Sequence, residues 1–114
     1  MTYKKSKIGI LAEGIALQNL QSLGLVLITK NFTSRFGEID LIMQHNNDLV
    51  FIEVKARKCG IDSAIESIDY NKQQKLIKTA NYYLMLNGLD INCRFDAYLI
   101  DWNTKTTQWV QNII

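Results

Sequence analysis

Two apolar stretches that carry charged residues constrain this chain more than any other feature of its sequence. Residues 37–43 and 49–57 are rich in β-branched and aromatic side chains, which is typical of strands. The polar turn formers of residues 45–48 separate them, so we predict a β-hairpin. Charges interrupt both predicted strands, at Glu38, Asp40, Glu53 and Lys55.

The register of the hairpin decides whether these charges meet. Side chains alternate between the two faces of a strand, so an even-length loop centred on Asn46–Asn47 places Asp40 opposite Glu53. Opposed side chains have Cβ atoms roughly 5 Å apart, where like charges destabilise a sheet. A Mg²⁺ or Mn²⁺ ion held by the hard carboxylate oxygens would remove that cost. Lys55, on the face of Glu53, could then stabilise negative charge on a phosphate or an attacking water.

A solvated strand face is the simpler alternative, because surfaces commonly carry mixed charges. In that interpretation Glu38 opposite Lys55 is an ordinary cross-strand ion pair. The short spacing pattern of the hairpin does not decide between the two interpretations.

The two segments Gly37–Ile42 and Val50–Arg57 carry a more specific signal, because together they resemble the YraN-type family of small bacterial proteins. That family is similar to archaeal Holliday-junction resolvases, within the restriction-endonuclease-like superfamily. The resemblance covers nearly the whole chain, including Glu13, Lys72–Gln73 and residues 94–96. Ala12 is a departure, since the family usually has Gly before the glutamate of the first helix.

The resemblance implies a restriction-endonuclease-like fold and a metal-nuclease site. Combined with the hairpin, it predicts the catalytic residues Asp40, Glu53, Lys55 and Glu13. The predicted metal ligands are Asp40, Glu53 and the backbone carbonyl of Val54. The predicted nucleic-acid contacts are Arg35, Arg57, Lys72 and Gln73.

The rest of the chain predicts one α/β domain over residues 1–114, with a mixed central sheet of about five strands flanked by helices. An amphipathic helix is expected from Lys7 to Leu23, with Ile8, Leu11, Ile15, Leu20 and Leu23 on its apolar stripe. A strand over residues 25–32 precedes the hairpin. A helix over residues 72–86, capped by Asp69 or Asn71, follows a helical tendency that begins at Ser63. Strands at residues 91–101 and 107–113 complete the sheet.

Composition limits the classes of partner. A net charge of +2 is mild for a nucleic-acid-binding domain, so basic residues must act locally. One such cluster is Lys4, Lys5 and Lys7. It lies at the polar N-terminal segment, residues 1–6, which is expected to fray. The two cysteines lack the spacing of a zinc site or a disulfide framework, and no apolar run approaches 18 residues. We therefore expect a cytoplasmic protein without a membrane segment.

These observations lead to three hypotheses about function. The first is a Mg²⁺- or Mn²⁺-dependent endonuclease acting on structured nucleic acid, most simply DNA. It could work as a homodimer, as the resolvases it resembles do. The second is a nucleic-acid-binding module that cuts weakly or not at all. The third is a protein-interaction domain that uses the first helix or the last strand.

Overall fold

Five strands form a single sheet in chain order, β1-β2-β3-β4-β5, in the computed structural model, which describes residues 5–114. The strands are β1 (Val26–Ser34), β2 (Gly37–His45), β3 (Asp48–Arg57), β4 (Cys93–Asp101) and β5 (Thr106–Val110). The helices are α1 (Lys7–Ser22), α2 (Ile61–Glu66) and α3 (Tyr70–Leu86). β3 and β4 are parallel and the other three pairs are antiparallel, so the predicted mixed α/β sheet is confirmed.

Helices cover both faces of the sheet, because the central strands are apolar on both sides. On one face α1 packs through Ala16 and Leu20 onto Leu41, Val50 and other residues of the sheet. On the other face α2 and α3 cover a second core that includes Ile42, Phe51 and Leu99. Because β3 and β4 are parallel, the connection between them must cross over, and α2 and α3 form that crossover.

The hairpin has the predicted register. Leu41 pairs with Ile52 and His45 pairs with Asp48, which leaves a two-residue loop. Asn46 has a φ of 56°, a conformation that asparagine tolerates better than most residues. The β2–β3 pairing ends at Leu41 and Ile52, so the strands open just before Asp40 and Glu53.

The predicted apolar stripe of α1 is wrong at three of its five positions. Ile8, Leu11 and Leu23 are more than half exposed, at 56%, 57% and 58%. Leu20 is buried as predicted and Ile15 packs partly buried against the same core, while the other buried positions of α1 are Ala12, Glu13 and Ala16. Small alanine side chains let the helix backbone approach the sheet closely, and a stripe chosen by the largest apolar residues misses that face.

Other boundaries lie within a few residues of the prediction. Asp69 caps α3 by accepting a hydrogen bond from the Lys72 amide at 2.8 Å. Ser6 caps α1 in the same way, because its hydroxyl accepts from Gly9 N at 3.0 Å. Fraying was therefore the wrong expectation for residues 5 and 6, while residues 1–4, with Lys4, lie outside the described part of the chain. Within the described part, every helix is too short or too polar to cross a membrane.

Candidate functional site

The site begins with a break in the alternation of β2 at Asp40. Ile39 packs against the α3 side of the sheet, whereas Leu41, two residues later, packs against the α1 side. In the neighbouring strand, Asn31 has a φ of 56°, between the residues that pair with Ile39 and Leu41. Simple alternation along β2 therefore fails between Ile39 and Leu41.

The break and the opening of the hairpin place Asp40 against β3. Its Oδ2 atom accepts a hydrogen bond from the Val54 amide at 2.8 Å. That bond replaces a ladder hydrogen bond where the two strands have separated, and it leaves Oδ1 directed towards other partners. Asp40 is only 6% exposed, so its carboxylate is held in a defined position.

Three carboxylates surround the ammonium group of Lys5. Lys5 donates a hydrogen bond to Asp40 Oδ1 at 2.6 Å, and its Nζ lies 2.8 Å from Glu38 Oε1. It also forms an ion pair with Glu13, which α1 directs towards the sheet. The cluster thus joins the N-terminal segment, α1 and β2 at one point.

The charges in this cluster shift one another's pKa values. Burial disfavours the charged form of Lys5, but hydrogen bonds to the three carboxylates outweigh it and raise the pKa of Lys5. Burial is also the main reason that the pKa of Glu13 is raised, with the charges of Asp40 and Glu38 adding to it. Lys5 partly offsets that rise.

A second arrangement connects Asp40 to Glu53 on β3. Burial, together with the hydrogen bond and the charge of Asp40, raises the pKa of Glu53 to about 8. Burial acts in the same direction on Asp40, but its bonds with Glu53, Lys5 and Val54 N prevail and lower its pKa. The two neighbouring carboxyl groups therefore titrate as a pair, with protonation favoured at Glu53 and ionisation favoured at Asp40. Lys72 Nζ of α3 lies 3.1 Å from Glu53 Oε2.

The oxygens near Lys5 suit a hard divalent cation. One carboxylate oxygen from each of Glu13, Glu38 and Asp40 lies within 4.8 Å of the other two. Glu38 Oε2 is buried with no hydrogen-bond partner among the described residues, which is costly for a carboxylate. Mg²⁺ and Mn²⁺ bind such oxygen atoms, so these residues fit an ion at the position that the ammonium takes.

These side chains line a cavity of about 520 Å³. Its walls carry both acidic and basic groups. The basic residues are Lys5, Lys55, Arg57, Lys72 and Lys75. Carboxylates that can hold a cation thus stand beside ammonium and guanidinium groups that can hold a phosphate.

The structure brings most of the predicted site residues together in this cavity. Seven of them line it: Asp40, Glu53, Lys55, Glu13, Val54, Arg57 and Lys72. Gln73 does not, because its amide donates to Ile68 O at 3.2 Å and its side chain lines another cavity. Arg35 lies in a separate depression beside α3.

Sequence reasoning missed two members of the cluster. The sequence predicts Glu38 only as an ion-pair partner of Lys55, whereas the structure pairs it with Lys5. Its place two residues before Asp40 was a usable signal. The sequence predicts Lys5 as part of a basic cluster, and no local pattern connects it with Asp40, which is 35 residues away.

Arg94 and Asp96 form a buried polar cluster outside the cavity. Arg94 Nε lies 3.0 Å from Asp96 Oδ1, so the two side chains form a salt bridge. Asp96 also accepts hydrogen bonds from Trp109 Nε1 at 2.9 Å and Asn112 N at 3.1 Å. These bonds tie β4 to β5 and the residues after it, which indicates a structural role.

Comparison with known proteins identifies the family. Residues 12–100 match the family model described as "Uncharacterised protein family UPF0102". A UPF0102 protein of Psychromonas ingrahamii is 49% identical over 105 residues, covering 91% of this chain and 86% of the relative. UPF0102 proteins of Nitrosomonas europaea and Legionella pneumophila (strain Corby) are 44% and 38% identical over 103 and 115 residues. The match with the Nitrosomonas europaea protein covers 89% of this chain and 87% of the relative. The match with the Legionella pneumophila protein covers 98% of this chain and 95% of the relative. The chain therefore belongs to family UPF0102, the family of the YraN-type proteins that its hairpin resembles.

Proposed function

We propose that this protein is a metal-dependent endonuclease that hydrolyses phosphodiester bonds in structured DNA. The observation that carries the proposal is the cluster of Glu13, Glu38 and Asp40, which lies in one cavity with Glu53, Lys55 and further cations. Carboxylates alone would suit many cation sites. Their position beside Lys55, Arg57 and Lys72 favours an anionic substrate such as a phosphodiester.

Asp40 is the central metal ligand in this proposal. Its Oδ1 atom faces Glu13 and Glu38 through Lys5, and its Oδ2 is fixed by the Val54 amide. Glu13 and Glu38 are further ligands on the Lys5 side of Asp40. Glu53 and the Val54 carbonyl are further ligands on its β3 side, where Glu53 would have to lose the proton that its raised pKa favours. A bound Mg²⁺ or Mn²⁺ ion would supply positive charge at the phosphate and lower the pKa of a water.

The remaining residues would position the substrate. Lys55 is half-buried in the cavity wall and is close enough to Glu53 to lower that residue's pKa through its charge. We assign it the role of stabilising negative charge as the water attacks. Arg57 and Lys72 would hold the phosphates on either side.

The test is cleavage of labelled duplex, flap and four-way-junction DNA in Mg²⁺ and in Mn²⁺. Lys55→Ala should retain metal binding and lose about 10²-fold or more of the cleavage rate, because it removes a transition-state contact. Lys72→Ala should mainly weaken DNA binding. Exposed Glu66 provides a control, since Glu66→Gln changes one carboxylate outside the cavity. Binding by the wild type without cleavage in either metal would replace the enzyme with the binding-module hypothesis.

A second candidate function is association between copies of this chain. Ile8, Ile10 and Leu11 on α1 are all more than half exposed, which is unusual for neighbouring large apolar residues. Sedimentation of wild type and Leu11→Lys tests it: a dimer that the substitution dissociates supports the candidate, and a monomeric wild type rejects it. We also propose a cytoplasmic location, since Cys59 and Cys93 are both free and exposed thiols.

A further inference from the structure

A second depression lies beside the cavity of the proposed nuclease site, between the β1–β2 turn and α3. It has a volume of about 410 Å³, within the range of small-molecule pockets. Its lining combines aromatic, cationic and amide side chains: Arg35, Phe36, Lys78, Asn81, Tyr82 and Met85. We call it the α3 depression.

The aromatic groups of the α3 depression are held by one another and by the core. The rings of Phe36 and Tyr82 meet edge to face with centroids 6.0 Å apart. Tyr82 also contacts Phe32, at 6.3 Å, and Phe32 packs against the buried Tyr83. Phe36 and Tyr82 therefore stay partly exposed while their orientation is determined by packing.

Cations flank these rings. The Arg35 guanidinium lies over the Phe36 ring, 4.8 Å from its centroid, so a flat charged group extends the aromatic surface. Lys72, Lys75 and Lys78 recur every three residues along α3, which places them on one side of the helix. At about 1.5 Å of rise per residue, they extend roughly 9 Å from Glu53 towards the α3 depression.

Gly37 connects the two sites. It follows Arg35 and Phe36 directly, and a Cβ atom there would lie 3.4 Å from Thr79 Oγ1 and 3.6 Å from Lys75 Cβ. The β1–β2 turn thus rests on α3. Ser34, Gly37 and Lys75 line the large cavity, while Arg35, Phe36 and Lys78 line the depression, so a single strand of nucleic acid could pass from one to the other.

We propose that the α3 depression binds an unpaired nucleobase, stacked on Tyr82, Phe36 and the Arg35 guanidinium. The adjacent phosphates lie along Lys75 and Lys78. Aromatic and guanidinium surfaces stack bases regardless of their sequence, and cations beside them hold the backbone, as in other single-strand-binding grooves. This inference rests on the proposed function and names its substrate class: nucleic acid with unpaired nucleotides next to the scissile phosphate.

The first test uses the wild-type protein and needs no catalysis. Binding of a fluorescein-labelled ten-nucleotide oligodeoxythymidine is measured by anisotropy in EDTA. It is compared with a ten-residue abasic strand that has the same phosphates and no bases. Stacking predicts binding of oligodeoxythymidine about 5-fold to 100-fold tighter than of the abasic strand. Equal binding of the two strands, or binding of neither, overturns the proposal.

The second test uses variants of the depression. Tyr82→Leu removes the ring and should reduce the preference for the base-containing strand about 5-fold or more, whereas Tyr82→Phe should retain it. Arg35→Ala replaces an exposed residue and should also reduce the preference for the base-containing strand. The test therefore does not depend on the stability of the Tyr82 variant. Lys30→Ala is the matched control, because exposed Lys30 pairs with Leu41 on β2 and lies outside the depression. Unchanged preference in both Tyr82→Leu and Arg35→Ala contradicts the assignment.

The two proposals fail in different ways. If Mn²⁺ binds and DNA is cut, yet the strands with and without bases bind equally, only the stacking site is rejected. If the protein prefers the base-containing strand but never cuts with Mg²⁺ or Mn²⁺, the stacking site stands and the nuclease is rejected.

Discussion

At the scale of single residues, Lys5 is the group that most affects the carboxylate cluster. Its ammonium neutralises charge that Asp40, Glu38 and Glu13 would otherwise direct at one another. A divalent cation that uses these oxygens must displace it. Lys5 is thus a stabilising counter-ion in the metal-free protein, and it competes with the proposed metal for the three carboxylates.

Lys5→Met tests this dual role, because methionine keeps an unbranched apolar stem and removes the charge. We expect the metal-free variant to melt at a lower temperature, since three buried carboxylates lose their cation. We expect Mn²⁺ to raise its melting temperature more than that of the wild type, because a ligand of the folded state stabilises it by mass action. Lys7→Met is the control, as Lys7 is exposed on the first turn of α1. An identical Mn²⁺ response in wild type and Lys5→Met would contradict the competition.

Glu53 should make the stability of the protein depend on pH. Its pKa in the folded state is about 8 against an ordinary value of 4.5, so between these values the folded state binds more protons than the unfolded one. The free energy of unfolding must then fall as pH rises through this window. Urea unfolding in EDTA at pH 5, 7 and 9 should show that decline, and Glu53→Gln should reduce it. Exposed Glu66→Gln should leave the decline unchanged, and a wild-type stability that rises from pH 5 to pH 9 would refute the assignment.

At the scale of elements, the contact between the β1–β2 turn and α3 positions both proposed sites. Thr79 is fully buried at this contact, and its hydroxyl donates to Lys75 O at 2.8 Å. Gly37 has a φ of +148°, a conformation that residues with a Cβ atom rarely adopt. The space around it would accept a methyl group, so the backbone conformation is the stronger constraint.

Gly37→Ala should therefore destabilise the protein by roughly 1–3 kcal/mol, the usual cost of a strained backbone conformation. Urea unfolding measures it. Gly14→Ala is an informative comparison, because Gly14 lies in α1 and, apart from its chain neighbours and the nearby helix backbone, nothing lies within 4 Å of a new Cβ. There alanine should stabilise by about 0.5–1 kcal/mol through helix propensity. Equal effects of the two substitutions would show that the conformation of Gly37 is not limiting.

At the scale of the whole molecule, distribution of charge matters more than its total. The net charge is only +2, yet Lys55, Arg57, Lys72 and Lys75 line one cavity. Arg35 and Lys78 continue the basic surface along α3. A polyanion is thus expected to bind on the side of the sheet that α3 covers.

Salt dependence of DNA binding should report this distribution. For duplex DNA, each phosphate contact contributes about −0.9 to the slope of log K against log salt. Lys75→Ala should make the slope less negative by about that amount, and Lys30→Ala should not change it. The measurement is anisotropy of a labelled duplex in EDTA from 50 to 200 mM salt. Equal slopes for wild type and Lys75→Ala would place the DNA elsewhere.

The sequence by itself determined the sheet, the hairpin register and the identity of several residues in the cavity. These follow from local rules: the period of apolar residues, the turn formers at Asn46–Asn47, and carboxylates where a strand should be apolar. Every even-length loop centred on Asn46–Asn47 gives the same pairing, so the pairing of Leu41 with Ile52 could be predicted without coordinates.

Only the tertiary structure decided how the charges are partnered. Lys5 and Asp40 are 35 residues apart in the sequence, and the periodicity of apolar residues cannot predict a contact at that separation. The break in alternation at Asp40 lies beside Asn31 of a different strand, which has a φ of 56°, and the buried face of α1 is the one that carries Ala12 and Ala16. Local pattern specifies which face a residue prefers, but the partner of a buried charge is set by which distant segments fold against it.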